Sequence, residues 1–207
     1  LPISGIYPVP QMVLTETIFP RKSEGEFVAL LGEAQKTAAS LHPKIDALYE
    51  RLKMGLPDRE RLREKRWQAG YDLALGRVLA AKVRTDAYNK TLAKARQGLK
   101  FQNPKSDTWV LEPSPDVDVD TATAKLADQA NSLLERVLRE HPGTPWALLA
   151  GEELRIPLGY KWVEETTGVN DPKPVDNGAG NNRPSARPDD KRRMLGPPKP
   201  SRDFKKL

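Results

Sequence analysis

The apolar positions of the chain predict a mainly helical protein, because they recur every three or four residues, as on an α-helix with one buried face. The first helical segment begins at Ser23, which is followed three residues later by Glu26, the spacing of a capping box. It extends to about Leu41. A second segment starts at Pro43, a residue suited to the first turn of a helix, and Gly55 is placed to end it.

Residues 58–99 contain no proline and predict one long helix. Apolar or small side chains occupy two positions of a seven-residue repeat in this segment, which is typical of antiparallel or coiled-coil packing between helices. The first position holds Tyr71, Val78, Thr85, Leu92 and Leu99, and the second holds Ala74, Ala81, Tyr88 and Ala95. The helix is either unbroken or kinked at Gly70 or Gly76.

A helical hairpin is predicted further along the chain. Residues 121–140 carry apolar side chains on one face, and Asp120 is placed to cap their first turn. Residues 141–144 are typical of a turn. Pro145 then takes the first position of a shorter helix, which the last residue of the turn caps and which ends at Leu154.

Three segments lack helical spacing and are predicted to be extended. Residues 1–22 combine four prolines with many apolar side chains, so we expect a strap with a short strand at residues 11–17. This strap would pack on the helices or on an upstream domain. Residues 107–111 are predicted to form a short extended piece, and residues 156–162 form an aromatic-rich closing segment.

The chain therefore divides into an extended Pro-rich strap (1–22), a helical domain (23–165) and a basic tail rich in Pro, Gly and Asn (166–207). The tail has few apolar residues, and its composition predicts disorder. The predicted fold class is all-α: an antiparallel bundle of about five helices with one long helix and a helix–turn–helix. No apolar run approaches the roughly 20 residues needed to cross a bilayer, so no transmembrane segment is predicted.

The net charge of the chain is concentrated in its last part. Residues 181–207 hold nine basic and three acidic side chains, which account for the whole net charge of +6. The body is therefore neutral, which argues against a body that binds nucleic acid. In the tail, Lys191, Arg192 and Arg193 are candidate contacts for an acidic partner, a membrane surface or nucleic acid. A solvated, solubilising tail is the alternative.

The sequence offers little material for catalysis or for holding a cofactor. It has no cysteine and two histidines, His42 and His141, which both precede a proline at a predicted helix boundary and are expected to serve helix ends. Residues 116–120 alternate aspartates like the start of an EF-hand loop. However, Thr121 stands where that loop needs glycine, and Ala127 where it needs glutamate. We therefore expect no enzyme, no metal site and no cofactor.

Three aromatic residues are the candidate contacts for a protein partner. They are Trp109, Tyr160 and Trp162, which lie on segments without helical spacing. Their side chains are therefore not expected to belong to the buried face of a helix. Their rings combine a large apolar surface with a polar group, which suits a protein interface. The alternative is that they form lids over the helix ends.

Two resemblances follow from longer motifs. The run LLERVLREHPGTPWALLAGEEL, within residues 121–155, resembles one tetratricopeptide-like helical hairpin of bacterial cell-envelope proteins, without a second copy in the chain. Three stretches together resemble the carboxy-terminal region of large bacterial von Willebrand factor A (VWA) domain-containing proteins. They are IYPVPQMVLTETIFPR, WQAGYDLALGRVLAAKVRTDAYN, and HPGTPWALL with PLGYKW and the basic tail.

The VWA resemblance implies a role in protein–protein interaction. It also implies that the chain, which begins at Leu1, is an internal or carboxy-terminal piece with the VWA domain upstream. The Asp-x-Ser-x-Ser metal motif of VWA domains does not occur in the sequence, so no metal ligand is carried over. Zero cysteines fit an exported or a cytosolic protein and indicate no compartment.

The function expected from the sequence is a non-catalytic protein-interaction or scaffold module of a larger VWA-type protein, with a protein partner whose identity the sequence does not give. The alternative is an envelope-associated structural protein whose basic tail binds an anionic polymer, a membrane surface or nucleic acid. An enzyme of unrecognised type ranks third.

Overall fold

Five α-helices, one 3₁₀ helix and a three-stranded sheet form the part of the chain that the computed structural model describes, residues 16–171. The helices are α1 (Glu24–Ala39), α2 (His42–Lys53), α3 (Lys65–Ala95), α4 (Thr121–Glu140) and α5 (Pro145–Leu154), and the 3₁₀ helix is Leu56–Arg61. The strands are β1 (Ile18–Pro20), β2 (Thr108–Ser114) and β3 (Gly159–Glu165). The mainly helical character is confirmed, but the all-α class is wrong, because three extended segments pair into a sheet.

Residues 1–15 of the predicted strap lie outside the described residues. So do residues 172–207 of the predicted tail, with Lys191, Arg192 and Arg193. Within residues 16–171, no helix is both long enough and apolar enough to cross a membrane.

Polar side chains fix where three of the helices begin, as the sequence predicts. The Ser23 hydroxyl accepts a hydrogen bond from the backbone N–H of Glu26 (3.2 Å) at the start of α1. A carboxylate oxygen of Asp120 accepts from the N–H of Thr123 (3.0 Å) at the start of α4. The Thr144 hydroxyl caps α5 in the same way, directly before Pro145. Each cap satisfies a backbone N–H that the first turn of a helix leaves without a partner.

Helix α3 lies at the centre of the fold, since α1, α2, α4, α5 and β3 all pack against it. Its 31 residues span about 46 Å at the usual rise of an α-helix. The expectation of one helix over residues 58–99 is wrong at its start, where the 3₁₀ helix and a short extended link precede α3. The helix itself is unbroken at Gly70 and Gly76.

The predicted heptad seam describes only the second half of α3. Thr85, Tyr88, Leu92 and Ala95 are buried as expected. In the first half, the fully buried side chains include Leu75 and Leu79, which lie outside the seam, whereas the seam residues there are half-buried. Because neighbours pack on several sides of α3, a single apolar stripe does not describe its burial.

Two glycines permit close packing around α3. A Cβ atom added to Gly76 would lie 2.9 Å from the Cγ atom of Leu134 in α4, a side chain that is 1% exposed. Gly55 does not adopt the left-handed conformation that often ends a helix, since its φ is −81°. Instead, the Tyr71 ring would lie 3.0 Å from a Cβ atom at this position. At both positions a close neighbour leaves no room for a Cβ atom. Neither glycine is explained by a helix kink or by a left-handed turn conformation.

The sheet has the order β1-β2-β3, and both pairings are antiparallel. Ile18 pairs with Val110, and Val110 pairs with Val163 on the other side. Most of the strand predicted at residues 11–17 lies outside the described residues. The strand that the structure describes in this region is Ile18–Pro20, preceded by a backbone hydrogen bond from Leu111 N–H to the Thr17 carbonyl (2.7 Å). The extended piece predicted at residues 107–111 is confirmed as β2, and the closing aromatic segment contributes β3.

The inner face of the sheet closes one part of the hydrophobic core. Phe19, Trp109 and Leu111 are buried on this face and pack on side chains of α1 and α3, including Phe27 and Tyr88. Aromatic contacts hold the layer together: Phe101 stacks on Trp109 with ring centroids 4.8 Å apart, and Trp162 meets Phe19 and Trp109 edge-on. A second cluster joins α2, α3 and α4. The sheet therefore covers helices that would otherwise expose an apolar face.

Gly76→Ala is expected to destabilise the fold by about 1–2 kcal/mol, because the clash with Leu134 outweighs the higher helix propensity of alanine. Gly32→Ala in α1 is the matched control, since an added Cβ atom there meets nothing within 4 Å. The control is expected to raise the free energy of unfolding by about 0.5–1 kcal/mol. Denaturant unfolding measures both, and equal stabilisation of both variants would contradict the packing role of Gly76.

Candidate partner interface

Buried charges lie within the helical layer, and enzymes often use ionisable groups in such environments for catalysis. Asp72 of α3 is fully buried. Its carboxylate accepts hydrogen bonds from Arg59, at 2.6 Å from Nη2 to Oδ2, and from Arg136, at 2.9 Å from Nε to Oδ2. The other oxygen, Oδ1, also accepts from both guanidinium groups. No lone pair of this carboxylate is left to take a substrate proton.

Glu140 extends the same cluster, since Arg59 also donates to its carboxylate (2.9 Å). The hydrogen bond to Asp72 raises the pKa of Arg59, and the hydrogen bond from Arg59 lowers the pKa of Glu140. Both shifts favour the charged forms of Arg59 and Glu140. The cluster ties the 3₁₀ helix, α3 and α4 together, and its filled hydrogen-bonding capacity favours a structural role.

Glu153 of α5 is the centre of a second buried cluster. Arg77 and Arg84 of α3 donate to its two oxygens at 3.1 and 2.6 Å. Arg84 also donates to the backbone carbonyls of Ile156 and Pro157, both at 3.1 Å, and so fixes the link that leads into β3. This cluster joins α5 and β3 to α3.

The two histidines lie at helix ends, as the sequence predicts. His42 is the first residue of α2, with Nδ1 3.4 Å from a carboxylate oxygen of Asp86 and Nε2 2.9 Å from the amide of Asn89. His141 caps the end of α4 and is buried. Within residues 16–171, no group of three or more His, Cys, Asp or Glu side chains is placed to hold a metal ion.

The three aromatic residues predicted to contact a partner do not form an exposed surface. Trp109 is 5% exposed and belongs to the core, so its assignment as an exposed contact is wrong. Tyr160 and Trp162 are half-buried, and their rings pack inward against the same core cluster. The pairing of β2 with β1 and β3 buries these rings, and the local sequence pattern does not show that pairing.

The outer face of the sheet carries an apolar row that the sequence analysis missed. Because side chains alternate between the two faces of a strand, Ile18, Val110 and Val163 lie side by side on the face opposite to Trp109. Ile18 is 54% exposed, and the two valines are half-buried. Next to the row, Lys161 and Glu112 form a cross-strand ion pair at 3.3 Å. The solvent side of an antiparallel sheet is usually polar, which makes this row a candidate contact surface.

Among residues 16–171, no strand pairs with the far side of β3, so its backbone forms a free edge beside this row. The Leu111 N–H donates to the Thr17 carbonyl, and the carbonyl of Asp107, just before β2, accepts from the Arg21 N–H. The odd-numbered residues of β2 therefore point to β1 and the even-numbered residues to β3. With the observed register, the odd-numbered residues of β3 point to β2. The N–H and C=O groups of Tyr160, Trp162 and Glu164 therefore point away from the sheet.

A turn that follows β3 returns the chain across the end of the sheet. The carboxylate of Asp107 accepts hydrogen bonds from the backbone N–H groups of Thr167 (2.8 Å) and Val169 (2.9 Å), and from the hydroxyls of Thr108 and Thr167. Asn170 then donates to the Arg21 carbonyl at 3.3 Å. The prediction of a disordered tail from residue 166 is therefore wrong for residues 166–170, which this turn holds in place.

Asp107→Asn is expected to release the turn, because an amide cannot accept all the hydrogen bonds that the carboxylate accepts. The hydrogen bond from Thr167 N–H is the main cause that lowers the pKa of Asp107 to about 2, below its ordinary value of 3.8. The contribution of this carboxylate to stability is thus present above pH 4 and is lost as the pH falls through about 2. In NMR titrations, the amide shifts of Thr167 and Val169 should follow this transition.

The matched control for the turn is Asp128→Asn, on an exposed position of α4. It should leave the amide shifts of Thr167 and Val169 unchanged at neutral pH, whereas Asp107→Asn should move both. Unchanged shifts in Asp107→Asn would show that the carboxylate does not hold the turn.

Asp72→Asn is expected to destabilise the protein by about 3 kcal/mol, because it leaves the buried guanidinium of Arg59 without its main counter-charge. Asp58→Asn is the control, since its ion pair with Arg61 is exposed and is expected to contribute less than about 1 kcal/mol. Thermal and denaturant unfolding measure both changes. Equal, small effects of the two substitutions would argue that the Asp72 cluster is not structural.

Comparisons with family models, with curated proteins and with solved structures found no match to the chain in any of the three.

Proposed function

We propose that this chain is a non-catalytic protein–protein interaction module whose contact surface is the outer face and free edge of its small sheet. The observation that carries the proposal is the apolar row of Ile18, Val110 and Val163 beside the outer edge of β3, which has no partner strand in the described part of the chain. A contiguous apolar surface next to free backbone donors and acceptors suits a protein partner, because contact removes the apolar groups from water and satisfies the backbone groups.

The placement of the charges supports a binding role. Asp72 and Glu153, two buried carboxylates of the helical layer, are both fully engaged by arginines. Their interactions hold α4 and α5 against α3, and Arg84 also fixes the link that leads into β3. A rigid support of this kind keeps a contact surface in one shape and so reduces the entropy lost on binding.

The helical hairpin of α4 and α5 is the part of the module that we assign to the tetratricopeptide-like type. Its helices of 20 and 10 residues flank a four-residue turn, and both pack on α3. Such a unit needs a neighbouring helix to bury its apolar face, and α3 supplies one. Placement of the module beside a VWA domain in a larger protein rests on the resemblance of the three sequence stretches.

A second candidate function rests on the charge of the chain. The whole net charge of +6 lies in residues 181–207, while the remainder is neutral. This segregation suits an envelope-associated structural protein whose tail binds an anionic polymer, a membrane surface or nucleic acid. Binding of this type weakens steeply as salt rises, because it depends on the release of counterions.

Affinity capture from a lysate of the source cells separates these two functions. Ile18→Glu places a charge in the apolar row and should abolish capture of a specific partner, because the charge would have to be buried at the contact. Leu48→Glu on α2 is the matched control, since Leu48 is 55% exposed and Ile18 is 54% exposed. Quantitative mass spectrometry measures the captured proteins, and circular dichroism confirms that each variant is folded.

A triple variant tests the tail in the same experiment, with Lys191, Arg192 and Arg193 each replaced by glutamine. The interaction module predicts that the partner is retained by this variant and by Leu48→Glu, and is lost only with Ile18→Glu. Capture that survives Ile18→Glu but is lost in the triple variant and released by moderate salt would instead support the anionic-surface function.

A further inference from the structure

We propose that a second copy of the chain binds at the free edge of β3, so that two sheets join in antiparallel fashion into one six-stranded sheet. This inference rests on the proposed function, because it names a partner for the same sheet.

The two edges of the sheet differ in their ability to pair. β1 has three residues, and Pro20, one of its two outward-facing residues, has no N–H to donate. β3 has seven residues and no proline, and its outward-facing residues are Tyr160, Trp162 and Glu164. The β3 edge is therefore the one with a full set of backbone donors and acceptors.

A twofold axis at Val163 gives an antiparallel register in which the backbone groups match. Trp162 then lies opposite Glu164 of the second copy, and Glu164 lies opposite Trp162 of the second copy. Each of these pairs exchanges two backbone hydrogen bonds, so the edge forms four. Val163 faces its own counterpart at a position without backbone hydrogen bonds, where opposing side chains approach most closely.

In this register the charged and apolar side chains on the outer face of one copy lie opposite matching side chains of the second copy. Lys161 lies directly opposite Glu165 of the second copy, and the twofold axis repeats this pair on the other side. The apolar row also becomes continuous, because Val163 meets its counterpart across the axis and so joins the row of one copy to that of the other. An axis at Lys161 would place two lysines opposite each other, and an axis at Trp162 would place Lys161 opposite a valine. The charges therefore select Val163 as the centre.

A lysine in an edge strand often prevents association, because its charge would have to be desolvated in a new sheet. In this strand Lys161 already has Glu112 as a partner at 3.3 Å, and its side chain is 59% exposed. Glu165 of the second copy adds another carboxylate. Glu165 forms no ion pair among the described residues, so the contact satisfies a charge that the single chain leaves in solvent.

Sedimentation velocity of the full chain over a range of concentrations tests the inference. The chain is expected to form a concentration-dependent dimer. Glu165→Lys should raise the dissociation constant about tenfold, because it places two lysine pairs at the interface. The double variant Lys161→Glu with Glu165→Lys restores opposite charges and should recover dimerisation. Glu152→Lys, on an exposed position of α5, is the charge-matched control and should dimerise like the unmodified chain.

Cysteine crosslinking tests the register, since the chain has no native cysteine. Val163→Cys should form a disulfide-linked dimer on mild oxidation, because the twofold axis brings residue 163 against its counterpart. Lys161→Cys should not, because the two cysteines would lie roughly four residues apart along the paired strands, about 13 Å. Crosslinking of Lys161→Cys and not of Val163→Cys would overturn the proposed register.

A chain that stays monomeric at all concentrations, or a Glu165→Lys variant that dimerises as well as Glu152→Lys, would overturn the inference. If capture of another protein still depends on Ile18 in that case, the interaction module stands and only the second copy is excluded. A dimer with the expected crosslink, together with capture that is insensitive to Ile18→Glu, would support the second copy and contradict a further partner at the apolar row.

Discussion

The burial of α3 is the constraint on which the rest of the structure depends. This helix carries Asp72, which is fully buried, and a carboxylate in an apolar interior is stable only when it is paired and hydrogen-bonded. Arg59 and Arg136 supply that pairing from the 3₁₀ helix and from α4, and so determine where both elements lie. The close contact at Gly76 also determines the position of α4, because Leu134 of α4 packs directly against this glycine of α3. Charge and shape together therefore fix the packing of the helical layer.

The small sheet depends on that layer and in turn completes it. Its inner face covers α1 and α3 with Phe19, Trp109 and Leu111, and its outer face and β3 edge have no partner element among residues 16–171. The link into β3 is held by Arg84, whose guanidinium binds both Glu153 and the carbonyls before the strand. The free edge is thus positioned by the same ionic contacts that hold the helices, which connects the stability of the core to the proposed interaction surface.

The sequence predicted the elements whose causes are local. The caps at Ser23, Asp120 and Thr144 act over three residues, and the helices that they begin were placed well. The sheet was not predicted because its strands are short and their partners lie far apart in the chain. Residues 18–20 pair with residues 108–110, and these pair with residues 163–165. Trp109 was misplaced for the same reason, since only the pairing shows that its side chain lies on the inner face of the sheet and in the core. The ionic clusters join distant segments, and no spacing rule indicates them.

The sequence by itself determined the mainly helical character, the helix starts, the hairpin turn and the concentration of charge in residues 181–207, because these follow from periodicity, capping and composition. The tertiary structure decided that Asp72 is buried, that Trp109 belongs to the core, and that residues 166–170 are held by Asp107. It also decided that Ile18, Val110 and Val163 share one face. The physical reason is that burial and pairing depend on contacts between segments far apart in the chain, whereas helix signals act within a few residues.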